Sequence, residues 1–470
     1  MKYIIVGGGP TGLALAYTLA KNNVEVELIE QNEQLGGSWN SQWVEKEYWS
    51  ENAPRVLTYS KNTKKFLSEI NIKNRDLENV YGNFFETNKK IMGFFINSFS
   101  IRDYAIFVLS SLKYNIYESS NTLDEWINST NLSVSAKKAI RKVSITISDI
   151  PEKTNISDFF CSLGMIGTLK QMKDSNKWHE NVEKNLDYLP NTKIRKKTIV
   201  NKLIEKNNKI VGVVCKNLDT GMTKEILGNK IVLCTQSNGI LNIIKNSNEN
   251  VQNNWKPYEE MKIWCKSTYY SGFSFQLHFS EQVIFPKKWC WSCNSEWSII
   301  ILPISNWVTE FTKNPNVKTV WSCCIIDMET KSNYLEKTPN ECSKDEIVHE
   351  CLRQIRRIEN IPQPYHITTS IGLKKQGKTW VSSNSGFTRG KLDYLPIKGK
   401  IDNLFALGCF TRPDRPSISY METAISSVVK YMLTYEKEME GFHKPKNNIL
   451  KIVILITLSN ILANRIKLNS

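Results

Sequence analysis

Histidine is scarce in this chain of 470 residues. There are five, at His179, His278, His349, His366 and His443. None stands four residues from another, and no HExxH occurs, so the usual helical zinc-hydrolase pattern is excluded. Cysteine is present but poorly organised for metal or for a disulfide framework. The count is 11, an odd number, scattered from Cys161 to Cys409, which argues for a reducing compartment. Cys290-Trp291-Ser292-Cys293 has no second CxxC to complete a zinc site, and Cys323-Cys324 are adjacent. The reading therefore expects no metal. Acidic residues are also in short supply, with Asp+Glu 46 against Lys+Arg 62 and a net charge of +16. A basic excess suits anionic ligands, nucleic acid or an anionic membrane surface without choosing among them. The densest basic run, Lys193 to Lys197, has no RNA- or DNA-binding module around it and reads as a solvated face, so no nucleic-acid partner is expected.

What is present is the composition of a packed protein. Hydrophobic residues make up 41% and charged residues 23%, which excludes a largely disordered chain. The first strand begins at Lys2, leaving no room for a leader, so the expected location is cytoplasmic. The other end carries an apolar tail. From Ile452 to Ala463 only Thr457, Ser459 and Asn460 are polar, with lysines and Arg465 on both flanks. Twelve helical residues reach about 18 Å, against the roughly 30 Å of a bilayer core. The tail reads either as a helix packed on the protein or as a marginal C-terminal membrane anchor, with peripheral membrane association as the expectation that follows from the second.

The front of the chain is a βαβ unit. Tyr3 to Val6 is a short buried strand, Leu13 to Ala20 an Ala/Leu-rich helix, and Val24 to Ile29 a second strand ending at Glu30. Between strand and helix lies Gly7-x-Gly9-x-x-Gly12. The first glycine permits a tight turn, the second lets backbone approach a pyrophosphate, and the third lets helix and strand pack closely. The helix N-terminus offers unpaired N–H groups to phosphate. Glu30 stands where a carboxylate would meet a ribose hydroxyl. Further on, Thr198–Glu205 and Lys209–Lys216 predict a hairpin about Asn207-Asn208. Ile231–Cys234 and Leu404–Leu407 predict short buried strands, Asp345–Ile358 an amphipathic helix, and Ser419–Tyr435 another helix. Residues 40–190 read as mostly helices and loops, and residues 255–330 as rich in strands.

Two more motifs decide between dinucleotides. Leu35-Gly36-Gly37-Ser38-Trp39 follows the acidic residue. Near the end, a strand closing at Gly408 is followed eleven residues later by Ser419-Tyr420-Met421-Glu422 at the head of a helix. Together with the front motif this set resembles the flavin amine oxidase and phytoene-desaturase-like superfamily of FAD oxidoreductases. The resemblance touches the front, middle and back of the chain. It implies an α/β fold, a Rossmann-like FAD-binding domain built from discontinuous segments with an inserted α+β substrate domain. The expected boundaries are 1–75, 190–250 and 375–440 for the FAD domain, 76–189 and 251–374 for the substrate domain, and 441–470 for the tail.

The resemblance also implies roles. FAD would be held noncovalently by Gly7, Gly9, Gly12, Glu30, Gly36, Gly37, Ser38, Arg55, Val200, Gly408, Cys409 and Met421. Tyr420 stands where one wall of an aromatic substrate cage is found, and Phe387 is the nominee for the other. Hydride would leave a C–N or C–C bond of a small-molecule substrate for flavin N5. The chain departs from the family in two places. Cys409 stands where an acidic residue often follows the last strand, and the strand Phe273–Phe279, nominated to carry a flavin-facing lysine, has none. Two other readings stay open: a lipid or carotenoid desaturase or isomerase of the same fold, and a binding scaffold without turnover. No second GxGxxG is present for NADPH.

Overall fold

A computed structural model describes residues 1–52, 55–82, 97–164, 169–268, 272–283, 289–292, 295–382, 393–411 and 421–439. Tyr420, Phe387, Cys293 and the apolar tail lie outside these. Among the described residues no helix is long and apolar enough to cross a membrane.

The architecture is mixed α/β around a central parallel sheet. Strands β1 (Lys2–Val6) and β2 (Glu25–Ile29) flank helix α1 (Pro10–Lys21). The sheet order is Leu404–Ala406, Lys230–Leu233, β1, β2 and Thr192–Arg195, and every pairing is parallel. Three separated stretches of chain thus meet in one sheet. Both of its faces are buried, as parallel strands covered on two sides require. Tyr3 and Ile5 pack with α1 and the Met421–Tyr435 helix on one face, while Ile4 and Val6 join Ile231, Leu233 and Leu404 on the other. The basic run at 193–197 is in part the edge strand of this sheet, where Arg195 pairs with the buried Glu27.

The expected hairpin is present as Thr198–Lys206 and Lys209–Asn217, with Asn207 and Asn208 both at positive φ (53° and 60°). That conformation suits the twist of a two-residue turn. Thr223–Leu227 adds a third strand. The amphipathic helix is present at Lys344–Arg356, closed by a Ser343/Glu346 capping box.

A second sheet has six strands, in the order His366–Thr369, Phe273–Phe279, Thr319–Ile325, Ile300–Leu302, Trp289–Ser292 and Tyr81–Gly82. Phe273, Phe275, Leu277 and Phe279 bury one face under the Lys344–Arg356 helix. The alternate residues Gln276 and His278 face β4 (Tyr48–Glu51), the second arm of a hairpin begun by β3 (Ser41–Val44). That hairpin, and the short strands Leu57–Thr58, Leu77–Asn79 and Leu169–Met172, lie in the stretch read from sequence as mostly helices and loops. Their strands are two to four residues long, too short for an alternating pattern to declare itself. The strand-rich stretch likewise contains a helix, Tyr258–Ser267.

Candidate functional site

Parallel pairing places the ends of β1, β2, Lys230–Leu233 and Leu404–Ala406 at one edge of the central sheet. That edge is where ligands bind in open α/β sheets. Gly7, Glu30, Cys234 and Gly408 follow the strands there. Gly12 has no room for a side chain, since a β-carbon would stand 1.9 Å from the Gly7 carbonyl oxygen. The helix therefore starts hard against the strand, with Leu13 N–H donating to Gly9 O at 2.9 Å. No side chain caps this helix end, and no acidic residue stands in its first turn. Its leading N–H groups and positive end of the dipole remain available to an anion.

Glu30 lies beneath the glycine turn and is buried. One carboxylate oxygen accepts from Gly8 N–H at 2.6 Å, and the other from Asn32 N–H at 2.9 Å and Asn32 Nδ2 at 2.8 Å. Burial pushes its pKa up, against the pull of those donors. The oxygen facing Gly8 keeps acceptor capacity for one more donor. Thr198 N–H donates to Glu30 O at 2.9 Å, which brings the strand carrying Val200 alongside β2. The ladder shifts register immediately after Val200.

The second glycine pair closes over the first turn. Gly36 N–H donates to Gly8 O at 2.8 Å. Gly37 has φ +57°, and a β-carbon on it would come within 2.9 Å of Gly9 Cα. At Gly9 a β-carbon would meet only Gly37 Cα, at 3.9 Å. Bare backbone thus faces bare backbone beside the head of α1. Ser38 O accepts from Arg55 NH1 at 3.5 Å, and the Arg55 guanidinium carbon lies 5.9 Å from the centre of the Trp39 ring.

Arg55 is held by Glu51, four residues before it, whose burial the sequence did not advertise. Its Nε donates to Glu51 Oε2 at 2.9 Å, and the Glu51 side chain is wholly buried. Burial raises the Glu51 pKa, while Arg55 and Ser322 lower it. His179 is a second unforeseen neighbour. It is 2% exposed, and a β-carbon on Gly36 would strike its Cδ2 at 2.6 Å. Its Nε2 is 3.2 Å from Asn176 Oδ1, and among the described residues its Nδ1 has no hydrogen-bond partner. Burial, with Arg55 and Lys196 nearby, lowers its pKa to about 4, so the ring is neutral. Asn176 also takes Ser41 N–H at 2.9 Å, and Trp178 Nε1 donates to Trp39 O at 3.3 Å. The start of the Lys177–Asp187 helix therefore clamps the 36–41 loop. Nothing in the local sequence marks these residues, which lie some 140 positions from the loop.

The back of the chain closes the edge. Leu407 N–H donates to Leu233 O at 2.9 Å, and Gly408 leads into a short 3₁₀ turn, Cys409–Thr411. Cys409 is part-buried. Met421 is fully buried at the head of its helix, and Thr11 Oγ1 donates to Ala424 O at 3.5 Å, tying that helix to α1. The Phe273–Phe279 strand presents Gln276 and His278 rather than a lysine. Gln276 Oε1 accepts from Ser50 and Thr368, each at 2.9 Å.

Comparison with known proteins agrees with this picture. A model of the NAD(P)-binding Rossmann-like domain matches residues 5–70. An oxidoreductase from Methanosarcina mazei superposes with a TM-score of 0.66 at 14% identity, over 92% of this chain and 100% of that one. Cyclohexylamine oxidase from Brevibacterium oxydans gives 0.61 at 11% identity, over 93% and 99%. A putrescine oxidase bound to putrescine gives 0.61 at 11%, over 93% and 99%. No curated protein matches the sequence. The chain has the fold these amine oxidases share, from one end of them to the other.

Proposed function

We propose that the chain is an FAD-dependent oxidoreductase of the amine oxidase type, taking hydride from a C–N or C–C bond of a small organic substrate. The observation that carries this reading is the bare face made by Gly9 and Gly37 beside the uncapped head of α1, with Glu30 buried below. An acidic ribose-binding group, phosphate-binding amides and two glycine turns are what FAD requires of a Rossmann-like site.

In this reading the amides at the head of α1 bind pyrophosphate, and Gly7 and Gly12 hold them in place. Glu30 takes a ribose hydroxyl on the oxygen that faces Gly8. The Gly36-Gly37-Ser38 turn, with Arg55 steadied by Glu51, borders the pyrophosphate. Backbone near Val200 meets adenine, and Gly408, Cys409 and Met421 border the flavin end. Bound flavin would supply the hydride acceptor. The Met421 helix turns its N-terminus to that end, which favours negative charge there. Tyr420, next in sequence before Met421, is the proposed wall of the substrate cage.

The test is the absorption spectrum of purified protein, followed by bleaching under candidate amines without oxygen. Yellow protein that releases FAD on acid precipitation is expected. Colourless protein that takes up no added FAD overturns the reading. Bound FAD that no amine bleaches would move the substrate to the lipid class or leave a scaffold. Tyr420→Ala should keep FAD and lose amine turnover, while Tyr420→Phe should keep both because the ring face remains.

A further inference from the structure

The Ile101–Ile116 helix has two apolar sides. Its start is fixed by a capping box, in which Ser100 N–H donates to Asp103 Oδ2 at 2.8 Å and Asp103 N–H to Ser100 Oγ at 3.2 Å. Its inner side is already satisfied. Phe107 and Tyr114 pack on Phe160, with ring centres 5.1 and 6.1 Å apart. The outer side should then be polar. Instead it carries Ile101, Ala105, Leu109, Leu112 and Ile116, all exposed, the four larger ones at 78, 66, 37 and 52%. At about 100° per residue these five fall in an arc of about 80°, an unbroken stripe along the helix.

Two further residues extend the stripe. Tyr117, 67% exposed, follows at the C-terminal end. Ser133 donates from both N–H and Oγ to the Asp103 carboxylate, each at 2.8 Å. That pins the start of the Val134–Ile147 helix to the first turn and sets Val134, 85% exposed, beside the Ile101 end. Exposed cations border one flank of the stripe, Arg102 and Lys113 at about 100° and 120° on the same wheel, and Lys138 is exposed on the helix that carries Val134. The acidic residue of the helix itself, Asp103, is buried in the cap, and Glu118 stands beyond Tyr117.

We propose that this stripe is a docking surface for an anionic lipid membrane, with the helix lying in the plane of the headgroups. An apolar face bordered by Lys and Arg is the pattern of an interfacial helix, and sixteen residues, about 24 Å, are too few to cross a bilayer. Charge selects this occupant over two others. A second copy would bring Arg102 and Lys113 against like charges. The chain's own apolar tail is flanked by Lys444, Lys446, Lys451, Arg465 and Lys467, so it would meet the same repulsion.

The test uses the full chain and co-sedimentation with phosphatidylserine–phosphatidylcholine vesicles, compared with phosphatidylcholine alone. Wild type should pellet with the anionic vesicles, and less so at high salt. Combining Leu109→Gln, Leu112→Gln and Ile116→Gln should weaken binding by about tenfold or more. Arg102→Gln with Lys113→Gln should remove the preference for anionic lipid. Circular dichroism and the unfolding temperature should hold in both, because the altered side chains are exposed. Three outcomes overturn the proposal: no binding by wild type, unchanged binding by the triple variant, or a dimer in sedimentation velocity that the triple variant dissociates.

Discussion

The Glu422 carboxylate receives Thr63 N–H at 2.7 Å and Thr63 Oγ1 at 2.6 Å, across 359 positions of sequence. It thereby satisfies the first turn of helix α2 (Lys61–Glu69), whose own N-cap residue Ser60 gives no side-chain capping bond. A helix from the back of the chain is locked to one from the front, beside α1. Glu422→Ala should cost about 2 kcal/mol, the range of hydrogen bonds to a charged group. Urea unfolding measures this, and Glu422→Gln should lose less. Equal stability in all three proteins would show that the bonds contribute nothing.

Gly37 and Gly221 make a matched pair for testing the site. Both have positive φ, +57° and +71°, but a β-carbon at Gly221 meets nothing within 4 Å. Gly221→Ala should cost about 1 kcal/mol of strain and leave FAD retention unchanged. Gly37→Ala should cost similar strain and also press on Gly9, raising the FAD dissociation constant about tenfold or more. Flavin fluorescence after dialysis separates the two variants.

Removing the Glu30 carboxylate should loosen the cofactor. Glu30→Ala deletes the acceptor for Gly8, Asn32 and the proposed ribose hydroxyl. Charge-assisted bonds of roughly 1.5–3 kcal/mol are at stake. FAD retention equal to wild type after exhaustive dialysis would show that another group holds the ribose.

Acid should act through two buried histidines. The pKa of His179 falls from 6.5 to about 4 through burial, then Arg55 and Lys196. For His278 it falls equally, through burial and then the neighbouring His366. Between those values the unfolded chain binds protons that the folded chain refuses, so stability falls with pH there. It should be full above pH 6.5 and decline toward pH 4, by roughly 3 kcal/mol for each ring. Urea midpoints across this range measure it, and His179→Gln should flatten part of the slope. A slope untouched by that change would place the titration elsewhere.

The front βαβ unit, the hairpin about Asn207-Asn208 and the short strands at 231 and 404 are legible in the sequence. Each is announced locally, by a glycine spacing, a pair of asparagines or a brief apolar run. The glycine spacing also singled out Gly7, Gly9, Gly12, Gly36 and Gly37, and the end of the second strand singled out Glu30; at Gly7, Gly12, Gly36 and Gly37 close approach or positive φ leaves no alternative to glycine. Which distant groups border that site depends on how the chain packs. His179 against Gly36 and Glu422 on Thr63 are contacts between segments whose meeting no local pattern encodes. They exist because five parallel strands from three stretches of chain bring their ends to one edge, and the helices packed on them arrive there together.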